Sequence, residues 1–174
     1  MNGFRFRPAA GGFTLLELVV VVSVIGILGL VAIDRLLYVR EQAEKAVMEQ
    51  NIAMVRAAVR LQVADLMARQ RTAGIAALAG RNPVDWLEDP PANYRGEVAG
   101  NQVPDCRGCW YFDKAAQALV YQVDRGAYFQ ADARGRKRVR LRVEAVLPQG
   151  NDGKADAEAI PSVRLVLLEP YRWF

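Results

Sequence analysis

From Phe13 to Ile33 the chain is almost continuously apolar, FTLLELVVVVSVIGILGLVAI, with Glu17 as its single charge. At 1.5 Å per residue a helix over 13–33 is roughly 30 Å long, the thickness of a bilayer core. The pattern then becomes one-sided. Met48, Ile52, Val55, Val59, Val63 and Leu66 recur every three or four residues, and Met54, Ala58 and Leu61 widen the stripe. Neither proline nor glycine occurs from Asp34 to Arg71. This spacing predicts one helix of more than fifty residues, apolar all round over 13–33 and amphipathic over 34–71. Glu41, Glu44, Lys45, Glu49 and Arg56 are expected mainly off the apolar stripe, with Glu41 and Lys45 as an i,i+4 ion pair.

Beyond this helix, Gly74, Gly80, Pro83, Pro90, Pro91, Gly96, Gly100 and Pro104 punctuate a loop region over 72–109. Within it, Asn82 followed by Pro83 reads as an N-cap and first position of a short helix, with Trp86 as a core anchor. From Trp110 the period changes to two. Trp110–Asp113 and Ala118–Val123 form an expected hairpin; Arg138–Glu144 and Ser162–Leu168 are two further strands. The expected fold is α+β: a long N-terminal helical spine laid on a C-terminal antiparallel sheet of about four strands over 110–174.

Charge places the apolar segment. Arg5 and Arg7 precede it, so the positive-inside rule keeps the N-terminus cytoplasmic and sends the head across the membrane. A secretory signal peptide has a shorter apolar core and a small-residue cleavage site after it, whereas Asp34-Arg35 follows here. A plain signal anchor suits the length but leaves Glu17 unexplained, since a carboxylate in the apolar layer is costly and normally has a partner. Snorkelling to the headgroups is the alternative for Glu17 alone.

The run Gly12-Phe13-Thr14-Leu15-Leu16-Glu17 closely resembles the processing site of type IV pilins and type II secretion pseudopilins. The resemblance implies a basic leader, residues 1–12, cut by a prepilin peptidase between Gly12 and Phe13. It implies N-methylation of the new terminus at Phe13 and a charge pair between that ammonium and Glu17 of a neighbouring subunit. Such a pair partly offsets the cost of holding either charge in lipid. Asp34 departs from the family, which commonly has proline there; Gly26 matches the family's preceding glycine, and Gly29 adds a second. The resemblance is specific over residues 1–33 and one of layout beyond. It implies a non-enzymatic subunit of a periplasmic filament anchored in the inner membrane. Membrane lipid, other pilin-like subunits, the processing peptidase/methyltransferase and an assembly platform are its expected partners. A minor pilin for adhesion or DNA uptake is a second reading. A signal-anchored domain that never polymerises is a third.

Composition narrows the chemistry. The chain has no histidine, which removes the commonest general base and metal ligand, and no catalytic residue is expected. Cys106 and Cys109 cannot alone complete a zinc site; in an oxidising compartment they form a disulfide or stay as free thiols. A redox motif would sit at a helix start, and this one opens a strand. Arg136, Arg138, Arg140 and Arg142 share one face by alternation, so they either contact a polyanion, meet acidic neighbouring subunits, or face solvent. Of the 23 lysines and arginines, Arg5 and Arg7 lie in the leader, and the remaining 21 face 19 acids. That balance and the lack of interleaved aromatics do not point to nucleic acid. No cofactor is expected, with calcium at Asp152, Asp156 and Glu158 weighed against a mobile turn.

Overall fold

The computed structural model describes residues 14–99, 104–132, 134–146 and 162–174. Helix α1, Leu15–Ala68, is 54 residues long. Thr14 caps it, its Oγ1 accepting the Glu17 N–H at 3.2 Å. The helix passes through Asp34 without interruption, as expected of a position with no proline. It ends in a Schellman turn: Arg71 N–H reaches Leu66 O at 2.9 Å, Gln70 N–H reaches Met67 O at 3.0 Å, and Gln70 takes φ 56°. The chain divides into two compact units, Met1–Val39 and Arg40–Phe174. In the described part of the first, the helical side chains are exposed apart from the half-buried Tyr38. Arg35 lies 5.4 Å from the centroid of the Tyr38 ring.

The second unit holds the sheet. Its strands are β1 (Tyr94–Val98), β2 (Cys109–Asp113), β3 (Ala118–Gln122), β4 (Arg138–Val146) and β5 (Ser162–Leu167). They lie in the order β1-β2-β3-β4-β5. The pairs β2–β3, β3–β4 and β4–β5 are antiparallel, with Tyr111 opposite Val120 and Val143 opposite Leu165. The expected four-strand antiparallel sheet therefore needs a correction at one edge. β1 arises inside the region read as loop and pairs in parallel with β2. Its sequence, YRGEV, contains Gly96 at φ 83° and a register irregularity, so the period-two signal is broken.

The main core forms between α1 and one sheet face. Met48, Ile52, Val55 and Val59 pack with Trp110, Leu119, Tyr121, Val139, Leu141 and Val143. Burying side chains of this size stabilises by about 1.5–3 kcal/mol each. Two stripe assignments are corrected, since Met54 is 43% and Leu61 70% exposed. Both sit seven-residue steps from Val47, on a different face from the buried row. Trp86 is only half-buried, while Trp110 and Trp173 are the buried tryptophans. Pro83–Trp86 is a 3-10 turn, capped by the Asn82 side chain accepting from the Val84 N–H. On the other sheet face Cys109, Tyr111, Ala118 and Val120 form a smaller cluster.

Candidate functional site

Glu17 stands in the first turn of α1 and is exposed. The positive end of the helix dipole favours a carboxylate there. The Thr14-x-x-Glu17 spacing is that of a capping box, whose Thr14 half is formed. Leu15, Leu16, Ile25, Leu28, Leu30 and Val31 around and beyond it are all exposed. An added Cβ at Gly26 or Gly29 would meet nothing within 4 Å. Length and composition make α1 able to cross a membrane once. Gly12 and Phe13 lie outside the described residues, so the expected cleavage position and its charge pair with Glu17 have no geometry here.

The basic strand keeps its alternation, with Arg138, Arg140 and Arg142 half-buried between the buried Val139, Leu141 and Val143. The four arginines do not act as one row, however. Arg142 Nη2 donates to Ala116 O at 2.8 Å. Arg140 Nη2 lies 3.4 Å from Glu169, and Arg136 and Arg138 gather with Arg134 around Asp132, a residue not singled out from the sequence. Asp132 Oδ1 accepts the backbone N–H groups of Arg134 and Arg136 at 2.9 and 2.8 Å, and Oδ2 accepts Arg138 Nε at 3.1 Å. Burial pushes the Asp132 carboxyl up, but those N–H groups and the Arg138 guanidinium together hold it below the usual carboxylate value. A cavity of about 580 Å³ opens beside this turn, lined also by Arg172, Glu169, Phe129 and Tyr171. The Phe129 and Tyr171 rings stack at 5.9 Å, so aromatic side chains do adjoin the arginines in space although not in sequence.

Cys106 and Cys109 are joined by a disulfide whose Cα atoms are 6.0 Å apart. Cys109 is the first residue of β2, and Gly108 takes φ 61°, where a Cβ would stand 3.3 Å from Asp124 Cβ. The calcium candidates Asp152, Asp156 and Glu158 lie outside the described residues. No group of three or more potential metal-ligating His, Cys, Asp or Glu side chains occurs among the described residues.

A family model, the prokaryotic N-terminal methylation motif, matches residues 7–33. This chain carries the prepilin signal of type IV pilins and pseudopilins. The signal implies processing by a prepilin peptidase and assembly with other pilin-like subunits. No curated protein and no solved structure matches the chain.

Downstream of the prepilin signal, the same helix carries two carboxylates, expected off the apolar stripe, that hold other parts of the head. Glu41 is 3% exposed. It accepts Ala127 N–H at 3.1 Å, Tyr128 N–H at 2.9 Å and Trp173 Nε1 at 2.9 Å. Glu44 accepts Tyr121 Oη at 3.0 Å and the N–H groups of Asp124 and Arg125 at 2.7 and 2.8 Å. Burial and the neighbouring Glu44 raise the Tyr121 phenol well above its ordinary value, so it stays protonated and donates. Lys45 does not form the expected pair with Glu41. It donates to Trp173 O at 3.0 Å and lies 3.9 Å from Glu49. Together these contacts clamp the loop after β3 and the C-terminal segment onto the helix. A signal existed: Glu41 stands seven residues before Met48 and fourteen before Val55, on the buried line itself.

Proposed function

We propose that the chain is a structural subunit of a periplasmic filament anchored in the inner membrane, most directly a pseudopilin of type II secretion. The observation that carries this reading is the prepilin signal running straight into a helix whose later part packs on a sheet head. The leader's arginines support a cytoplasmic N-terminus and a periplasmic head. The chain acts as a substrate of processing enzymes and has no catalytic role of its own. After cleavage, the Phe13 ammonium of one subunit meets Glu17 of another, and the apolar helices bundle. Val47, Met54 and Leu61, exposed by 54%, 43% and 70%, supply a seam for neighbouring helices outside lipid. Head-to-tail contacts of this kind do not close on themselves and so build a fibre.

The test is the mass of the chain recovered from cells holding a prepilin peptidase, paired with cross-linking of assembled subunits. The expected product lacks residues 1–12, carries one added methyl, and assembles unless Glu17 is replaced by Leu. A retained leader would instead identify an anchored domain that never polymerises, and Glu17→Leu assembling normally would remove the charge pair. The arginines that alternate along β4 favour a second reading, a minor pilin for adhesion or DNA uptake. Salt-sensitive DNA retention, lost with Arg138→Ala and Arg140→Ala together, would favour it.

A further inference from the structure

The cavity beside the Asp132 turn carries a charge imbalance that the fold does not neutralise. Arg134, Arg136, Arg138, Arg140 and Arg172 line it, against the carboxylates of Asp132 and Glu169. Asp132 is already committed to Arg138 and two backbone N–H groups. Its distance to Arg136 Nε is 3.6 Å, too long for a hydrogen bond. Glu169 reaches Arg140 Nη2 at 3.4 Å and is itself about half exposed, at 49%. The Nε atoms of Arg136 and Arg140 are buried without a hydrogen-bond partner among the described residues. Donors withdrawn from water with no acceptor destabilise a fold unless something supplies one.

Shape selects among anions. At about 580 Å³ the cavity falls in the small-molecule range of roughly 300–1,000 Å³. A nucleic-acid duplex is a convex rod and would touch only its rim. Guanidinium forks converge on phosphate and carboxylate with two parallel bonds each, a geometry a lysine cluster lacks. We propose that this cavity binds a small molecule carrying two or more phosphate or carboxylate groups, held by Arg136 and Arg140 inside and by Arg134 and Arg172 at the mouth. The proposal is independent of the proposed filament contacts, which use Phe13, Glu17 and the Val47, Met54 and Leu61 seam of α1.

Calorimetric titration of the full-length protein in neutral detergent at low salt tests it, with pyrophosphate and citrate as probes and acetate as the monovalent control. Both probes are expected to bind at least tenfold more tightly than acetate, and the tighter one tells phosphate from carboxylate chemistry. Arg134→Gln with Arg172→Gln, which breaks no ion pair found among the described residues, should weaken binding about tenfold or more. Glu169→Gln removes the competing carboxylate and should tighten binding about threefold. Arg56→Gln, remote from the cavity, should leave it unchanged. Equal affinity for acetate and pyrophosphate, or insensitivity to both cavity variants, would overturn the proposal. So would a single-stranded oligonucleotide that binds more tightly than pyrophosphate and loses its binding in the same variants.

Discussion

Glu17 and Glu41 are carboxylates of one helix, the first set in an apolar run and the second buried against the head, and they are answered differently. Glu41 is buried and meets three N–H donors from its own chain. Glu17 is exposed, and no partner for its carboxylate occurs among the described residues. The same division holds for the hydrophobic side chains. Around Glu17 the leucines and valines are exposed, whereas Met48, Val55 and Val59 after Glu41 are at most 2% exposed. A carboxylate among apolar residues needs a counterpart. One region of α1 finds it within the fold, and for the other the proposed counterpart is the Phe13 ammonium of a neighbouring subunit.

The sharpest way to break this comparison is Glu41→Ala. It strands two backbone N–H groups and the Trp173 indole, each worth about 1–3 kcal/mol when buried and unsatisfied. Chemical denaturation followed by tryptophan fluorescence should show a loss of about 3 kcal/mol or more, and a neutral result would mean the clamp is idle. Glu44→Ala comes next, because its donors lie closer to water. A loss of about 2 kcal/mol is expected by the same measurement, with Tyr121 titrating at lower pH once the carboxylate is gone.

Asp132 gives a smaller, pH-dependent effect. Its folded pKa lies below the unfolded value, so its contribution is complete above about pH 4 and is lost as pH falls through the depressed folded value. Asp132→Asn should cost about 1 kcal/mol near neutrality and flatten stability against pH in the acid range; an unchanged slope would assign that slope to other carboxylates. The smallest effect on folding belongs to Leu61→Asp. Stability should move by less than about 0.5 kcal/mol, as expected for an exposed position, while cross-linking between subunits falls. If folding suffers and assembly does not, the exposed seam is wrongly assigned.

Much of this architecture is legible in the chain. The apolar run to Ile33 passes into a 3.6-residue stripe from Met48 to Leu66, and no glycine or proline after Gly29 opposes one helix from Leu15 to Ala68. The alternation of Val139, Leu141 and Val143 specifies β4 and its buried face. The prepilin signal is local, confined to residues 7–33. What escaped has two causes. Glu41 and the parallel strand β1 owe their roles to partners distant in sequence, Trp173 for the first and Trp110 for the second. Asp132 is held by groups only two to six residues on, in an irregular turn that carries no period. Periodicity assigns a glutamate to water by default. It cannot see that backbone N–H groups 86 and 87 positions away will point at it.

The clamp has a mechanical meaning. Glu41 and Glu44 grip the N–H groups of residues 124, 125, 127 and 128 from adjacent turns of the helix, and Lys45 and Glu41 both hold Trp173. Tension or thrust applied along such a helix strains these bonds together in shear, so they share it, and none is unzipped ahead of the others. A head fastened in this way travels with its shaft.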